Sequence, residues 1–426
     1  MGGFSYALIA ISAVLLACAY VAPPRLRLPP HLLGHPIVDK PNFLDETTVD
    51  DLLDWTRRLG ALPSVTRDTD SYKVKREHIG EAVPINNVTK KCDKPFLIPD
   101  AKRELCVFPG RIDVGKHFIM AGGLEGLKEP YETIVSRVQP FIKYIFNYSE
   151  HPVPKRLFES EEFTKLAKEV CPSHKQGVLD YFQFNLIVQV PGQTVASHID
   201  APVFYHANRF EFPQWLLASM VFSGLFQDDF VDQVQVVAYY HKWKTSDGGE
   251  FYFWDDLSGQ AKKSFPASRS ANSVDGSKVV HAAAIYQPKK TPPILDQNAR
   301  NELEYNKLTK QWEVKSDGIV ARVYNEEEIR FGAVYRARCF ADKADQAAFR
   351  KGQANQWSLD YVLGIFKKDL VSRGVYREGI DAYDLGLLIM KTYISYPLSP
   401  NAVFPYNYCA LSRLYPWTAP LLKLVC

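Results

Sequence analysis

The stretch YFQFNLIVQVPGQTVASHID, residues 181–200, decides how this chain is read. Its first half interleaves aromatic and aliphatic residues with Gln and Asn, the pattern of a strand with two unlike faces. Pro191-Gly192 then breaks the run as a turn pair. Beyond the turn His198 and Asp200 flank a single residue, and on extended backbone residues two apart project to the same side. The pair is either two thirds of a metal-binding set or a turn histidine and a turn-forming aspartate before Ala201-Pro202.

Working outward, residues 176–340 are rich in β-branched and aromatic residues broken by Gly, Asp, Ser and Pro. QVQVVAYYHKW (233–243) runs into Thr245-Ser246-Asp247-Gly248-Gly249, a reversal, and EFYFW (250–254) leaves it. SKVVHAAAIY (277–286) and EIRFGAVYRARCF (328–340) are further candidate strands, and WLLASMVFSGLF (215–226) reads as a strand pair or a buried segment. Many short strands with Gly-rich turns and no long intervening helices predict a sandwich or jelly roll. Flanking it, residues 23–175 read as a mainly helical support region, with helices in NFLDETTVDDLLDWTRRLGAL, in YETIVSRVQPFIKYIFNY interrupted at Pro140, and in ESEEFTKLAKEVC. Residues 341–426 return to helix, so the fold class is α+β, a jelly roll between N-terminal and C-terminal helical regions.

A third ligand for His198 and Asp200 has to come from a later strand. His281 stands mid-strand after a turn, among alanines that leave space beside it. Two histidines and one carboxylate on one face hold Fe(II) and leave the opposite positions vacant. His206 follows Asp200 too closely to come from an opposing strand, and His241 sits beside Tyr239, Tyr240 and Trp243, where packing is the simpler role. A cupin-like metal protein of other chemistry needs a further His or Glu near the first pair, and none is close.

YFQFNLIVQVPGQTVASHID, VQVVAYYHKWKTSDGGEFYFW and ANSVDGSKVVHAAAIY resemble successive strands of the iron(II)- and 2-oxoglutarate-dependent dioxygenases, in particular the prolyl 4-hydroxylase-like branch. The resemblance covers residues 178–340 and implies a double-stranded β-helix in which His198, Asp200 and His281 hold the iron. It implies hydroxylation of a peptidyl, prolyl-type side chain or of a small molecule, using O2 and 2-oxoglutarate, releasing succinate and CO2, with ascorbate as an auxiliary. It also implies a basic residue on the last strand for the far carboxylate of 2-oxoglutarate. The chain departs from the family's spacing here. Lys289 and Lys290 stand where that residue is usual, but TPPILDQNARNELEYNKLTKQWEVKSD follows, too polar and long for a barrel strand. Residues 288–326 are therefore read as an insertion, with Arg330 in EEIRFGAVYRARCF as the carboxylate anchor, Lys289 or Lys290 as the alternative, and Gly332 leaving room for the ligand. Arg330 also reads as one of several surface arginines, with Arg336 and Arg338 on the same face. By analogy Tyr181 and Asn185 line the co-substrate pocket. The insertions 201–232 and 288–326 are expected to carry specificity, the first through an aromatic wall of Phe204, Tyr205, Phe210, Phe212 and Trp215.

The ends of the chain speak to location. FSYALIAISAVLLACAYVA, residues 4–22, is an uncharged apolar run of spanning length, read as a signal anchor or signal peptide and as the contact with a membrane. Arg25 and Arg27 beyond it favour a cytosolic domain. Six further cysteines, with Cys92 and Cys106 close enough to staple one loop, and the acceptor triplets at Asn87 and Asn147 favour an endomembrane lumen such as the endoplasmic reticulum and a glycoprotein. The lumenal reading is preferred. A net charge of +3 over 426 residues gives no case for a nucleic-acid partner. The alternative to an enzyme is a membrane-tethered jelly roll that binds metal without oxygenase turnover, and Arg330 separates the two.

Overall fold

The computed structural model describes residues 28–64, 83–89, 92–94, 96–100, 104–296, 299–399, 407–414, 416–422 and 426. The apolar run at 4–22 lies outside them; among the described residues no helix is long and apolar enough to cross a membrane.

Seventeen strands, numbered β1 to β17 along the chain, form four antiparallel sheets among the described residues. The largest runs in the order β1 (Ile37–Lys40), β12 (Ala271–Val274), β9 (Gln233–Tyr239), β17 (Arg330–Phe340), β7 (Val178–Gln189) and β6 (Phe141–Ile145). A second runs β11 (Lys262–Ser264), β10 (Phe251–Trp254), β13 (Val280–Ala283) and β8 (Val195–His198). Consecutive strands β7 and β8 belong to different sheets, and so do β9 and β10. The turn at Pro191-Gly192 makes the first of these crossings, with Gly192 at φ 89° where a side chain would be strained. Two sheets thus face each other, and residues of both line one cavity.

Alternation along the large sheet separates two environments. Phe184, Leu186 and Val188 of β7, Val234, Val236 and Ala238 of β9, and Phe331, Ala333, Tyr335 and Ala337 of β17 form one core with Leu52, Trp55, Phe158, Phe163 and Leu166 from flanking helices. Those helices are Glu46–Arg58, Pro152–Phe158 and Glu161–Val170. Residues of the opposite parity, Gln183, Asn185 and Ile187, Gln235, Val237 and Tyr239, and Arg330, Gly332, Val334 and Arg336, line the cavity. The last of the three helices is capped by Ser160, which accepts the Phe163 N–H at 3.2 Å, and buries Phe163, Leu166, Ala167 and Val170.

Three disulfides pair the six cysteines outside the N-terminal run: Cys92–Cys106, Cys171–Cys339 and Cys409–Cys426. Cys171 follows the helix Glu161–Val170 directly and Cys339 lies on β17, so the second bridge ties that helix to the strand carrying both cavity arginines across 168 residues of sequence. Closing so long a loop restricts the unfolded chain and contributes roughly 2–4 kcal/mol.

Four expectations change. The segment after Pro140 is strand β6, not helix; the helix Tyr131–Arg137 stops short of a proline that offers no N–H, and β6 takes a sheet edge. Of the two readings of WLLASMVFSGLF the buried segment holds and the strand pair does not: it contains a helix, Gln214–Ser223, started after Pro213 and stopped by Gly224 at φ 71°. It is buried all round, against Val362, Phe366, Leu370, Leu385 and Ile389 of C-terminal helices. The insertion 288–326 folds as a sheet, β16 (Ile319–Tyr324), β15 (Gln311–Ser316), β14 (Asn301–Asn306) and β2 (Leu62–Pro63), whose Leu303, Trp312 and Val314 join the helix-side core. None of its described residues lines the cavity. The aromatic wall also fails: Phe204, Phe212 and Trp215 are buried in a core under the C-terminal helices, Tyr205 hydrogen-bonds Asp345, and Phe210 packs edge-on against Phe146. The strands' apolar sides needed partners, and helices rather than substrate supply them.

A small sheet of β3 (Val83–Pro84), β5 (Leu105–Val107) and β4 (Ile98–Pro99) completes the set, pinned by Cys92–Cys106. Phe96, Leu97 and Ile98 from this disulfide-closed loop line the cavity.

Candidate metal centre

The register of two strands builds the site. β13 pairs with β8 so that His281 lies directly opposite His198, and the ring centroids are 4.3 Å apart. Asp200 follows β8, held where its N–H donates to Gly276 O at 2.8 Å. Its carboxylate oxygens lie 3.7 Å from His198 Nε2 and 3.6 Å from His281 Nε2. One ligand atom from each residue falls within 4.8 Å of the others. Donors that each sit ~2 Å from a common ion have this mutual spacing.

The protonation pattern suits a cation. His198 Nδ1 lies 2.7 Å from Ala196 O and His281 Nδ1 2.9 Å from Val279 O. A carbonyl oxygen only accepts, so each Nδ1 carries the hydrogen and each Nε2 turns its lone pair toward Asp200. Burial, with the neighbouring His198, pushes His281 down to about 4, which keeps the ring neutral. Burial opposes ionisation of Asp200, but the charge of Arg336 outweighs it and holds the carboxyl well below its usual range. Asp200 Oδ2 is buried without a hydrogen-bond partner, an arrangement that costs free energy unless a cation sits against it. Gly276 leaves the space this needs, since a Cβ there would stand 2.2 Å from that oxygen. Two imidazole nitrogens and an orphaned carboxylate oxygen fit a divalent transition-metal ion.

The cavity beside the triad has a volume of about 240 Å³. Arg330 lines it and is buried. Its guanidinium donates to Gln189 Oε1 and to Gly249 O, the latter at 3.2 Å, and lies over the Tyr239 ring, while Nε has no partner. Gly249, at φ 73°, would bring a Cβ within 3.2 Å of that Nε, so the Gly-Gly turn seats the arginine. Lys289 and Lys290 are exposed, Lys290 pairs with Glu328 at 3.3 Å, and neither reaches the cavity.

Of the two β7 residues expected in the pocket, Asn185 lines it and accepts from Gln183 Nε2 at 2.8 Å. Tyr181 does not. Its ring packs on Phe158 and Phe163 in the helix-side core. The cause is a bulge: Arg336 pairs with Gln183 but Ala337 with Tyr181, so Phe182 is an extra residue that reverses the parity of everything before it. Arg338, on the same face of β17 as Arg336, lies beyond the cavity, on Asp180 at 2.6 Å and the Phe182 ring. His241 packs between Tyr239 and Tyr286, and His206 lies against Trp357; neither joins the triad.

Several cavity residues were not anticipated. Arg336 is buried, not a surface residue, and donates to Gln233 Oε1 at 3.0 Å and Ala201 O at 3.3 Å. Its even spacing from Arg330 was the available signal. Arg209, from the first insertion, donates to Gln183 Oε1 at 3.2 Å and lies over Tyr144. Much of the apolar wall comes from the N-terminal region, where no motif marks it.

No family model matches the chain, and no curated protein matches it. Solved structures that the chain is similar to include a Pseudomonas putida prolyl-4-hydroxylase, at 13% identity and TM-score 0.31 over 71% of this chain and 93% of that one. Others are the viral collagen prolyl hydroxylase of Paramecium Bursaria Chlorella virus-1, at 10% and 0.30 over 72% and 97%, and the non-heme alpha ketoglutarate dependent carbocyclase SnoK from nogalamycin biosynthesis, at 8% and 0.33 over 76% and 88%. At such identities and TM-scores the site geometry alone bears on function.

Proposed function

We propose that the chain is an Fe(II)/2-oxoglutarate-dependent dioxygenase with a double-stranded β-helix core, acting on a prolyl-type peptidyl side chain or a small molecule. The observation that carries this reading is the convergence of His198, Asp200 and His281 around one point, with a buried carboxylate oxygen left unpartnered there. Iron and 2-oxoglutarate, when bound, would let O2 act as the oxidant, one oxygen atom converting an unactivated C–H to C–OH and the other entering succinate as 2-oxoglutarate loses CO2. The chain's own residues hold and orient. The Nδ1–H bonds to Ala196 and Val279 fix both rings, and the missing side chain at Gly276 leaves the carboxylate its space. Arg330 offers a planar guanidinium for the far carboxylate of 2-oxoglutarate, backed by Gln189 and the Gly249 carbonyl. Asn185 lends a polar edge to the same cavity.

Three disulfides and exposed acceptor asparagines at 87 and 147 support maturation of this domain in an oxidising lumen, with residues 4–22 as its anchor or signal. Glycosidase sensitivity at Asn87 and Asn147 tests the lumenal side. The catalytic reading is tested by anaerobic titration of the purified protein with Fe(II) and then 2-oxoglutarate. A weak visible charge-transfer band, and succinate on admitting air, are expected. Metal uptake with neither band nor succinate would leave only a metal-binding protein.

A further inference from the structure

The three side chains of the triad are not held alike. His198 ends β8 and faces His281 across the ladder, so strand register and an Nδ1–H bond fix each ring. Asp200 lies past the end of β8, and residues 199–203 belong to no strand. A carboxylate carried on backbone outside the ladder needs other support to stay aimed at the point where the two imidazoles meet.

Two arginines supply that support, one from each side. Arg111, at the start of the helix Ile112–Ala121, donates to Ile199 O at 2.8 Å. Arg336 of β17 is buried and donates to Ala201 O at 3.3 Å. Between them the Asp200 N–H donates to Gly276 O at 2.8 Å. The carbonyls before and after Asp200, and its own N–H, are all engaged.

Each arginine is anchored in turn. Arg111 donates to Asp113 Oδ2 at 3.0 Å and to the Tyr396 hydroxyl at 3.3 Å, and that hydroxyl donates to the same Asp113 oxygen at 2.7 Å. Tyr396, from the C-terminal region, and Ile199 belong to one buried core. Arg336 donates to Gln233 Oε1 at 3.0 Å. Gln233 donates its side-chain N–H to Ser277 Oγ at 3.1 Å and its backbone N–H to Asp275 Oδ2 at 3.0 Å. Asp275 and Ser277 flank Gly276, so these bonds close a ring that returns to the Asp200 N–H.

The charges are matched as well. Burial disfavours both guanidinium charges, while Asp113 favours that of Arg111, and Asp200 and Asp275 favour that of Arg336. A buried guanidinium repels a divalent ion. The further carboxylates, Asp113 and Asp275, offset that repulsion and leave orientation as the larger effect.

We propose that Arg111 and Arg336 are positioning residues for the metal ion: they clamp the backbone on both sides of Asp200 and so set its carboxylate against the ion. The inference rests on the metal-site reading and is independent of 2-oxoglutarate. Through Arg111 and Tyr396 the N-terminal and C-terminal regions become parts of the metal centre. No motif in either region marks that role.

The test is Ni(II) binding to the untagged full-length protein, measured by competition with a chelator. Nitrogen sites hold Ni(II) more tightly than Fe(II), so binding stays measurable on two histidines alone. Arg111→Met and Arg336→Met are each expected to weaken binding roughly 10–100-fold, the range for disturbing a ligand's support. Arg336→Lys, which keeps a donor and the charge, is expected to recover part of the loss. In an Asp200→Ala background the same substitutions are expected to change affinity by less than about twofold, because the clamp then has nothing to position. Should a Met variant fail to fold, the Lys variants decide, with weaker binding expected when Asp200 is present and unchanged binding when it is absent. The proposal is overturned by unchanged affinity in the arginine variants, or by a rise, which would make charge repulsion their main effect. An equal loss with and without Asp200 overturns it too, since that marks a general structural role. Absence of Ni(II) uptake by the wild-type protein defeats the metal-site reading and the clamp together, whereas uptake that the variants leave unaltered defeats the clamp alone.

Discussion

The two faces of β17 are built from neighbouring residues and obey opposite rules. Phe331, Ala333, Tyr335 and Ala337 meet helices and behave as core. Arg330, Gly332, Val334 and Arg336 meet a cavity and keep buried charge there. The helix face is stabilised by area removed from water, about 25 cal/mol per Å². The cavity face gives up some of that stability, because Arg330 Nε and Arg336 Nε are buried without partners. Stability and function are therefore separable by residue parity along one strand.

The largest expected effect breaks the core face. Phe184→Ala, at a fully buried site under Trp55 and Phe158, is expected to cost about 3–5 kcal/mol in denaturant unfolding. Next comes the site itself. His281→Ala is expected to abolish the Fe(II)-dependent rise in stability, which for a ligand at a hundredfold excess over its Kd is about 2.7 kcal/mol, while changing the metal-free protein little. A smaller loss is expected from Gly276→Ala, whose Cβ crowds Asp200 Oδ2 at 2.2 Å. Metal affinity should fall roughly 10–100-fold, the range for disturbing a ligand's support, measured by competition with a chelator. Smallest is Lys290→Ala, expected to leave 2-oxoglutarate affinity unchanged where Arg330→Met removes it. A loss in both would erase the contrast between cavity and surface cations.

Much of this contrast could be read from residue order. Period-two alternation in β7, β9 and β17 gave strands with two faces, and the spacing of His198 and Asp200 put them on one side. Pairing of His281 with His198 needed the strand order, which came from the family resemblance. Parity reasoning failed at Tyr181, because the Phe182 bulge is invisible without the partner strand. Arg336 was legible by parity yet taken for surface, since periodicity says which residues share a face and nothing about what covers it. The sheet in residues 288–326 carried an overlooked local signal: Asp317-Gly318, both at positive φ, form the two-residue turn between β15 and β16. The cavity wall from Phe96 to Ile98 left no such mark, because a disulfide-closed loop has no period to read.

The central claim is most directly tested by crystals grown anaerobically with Fe(II), with anomalous scattering recorded at the iron edge. The account predicts one strong peak about 2.0–2.2 Å from His198 Nε2, an Asp200 carboxylate oxygen and His281 Nε2. An iron peak elsewhere in the chain, or none at this triad with iron present in excess, would contradict it.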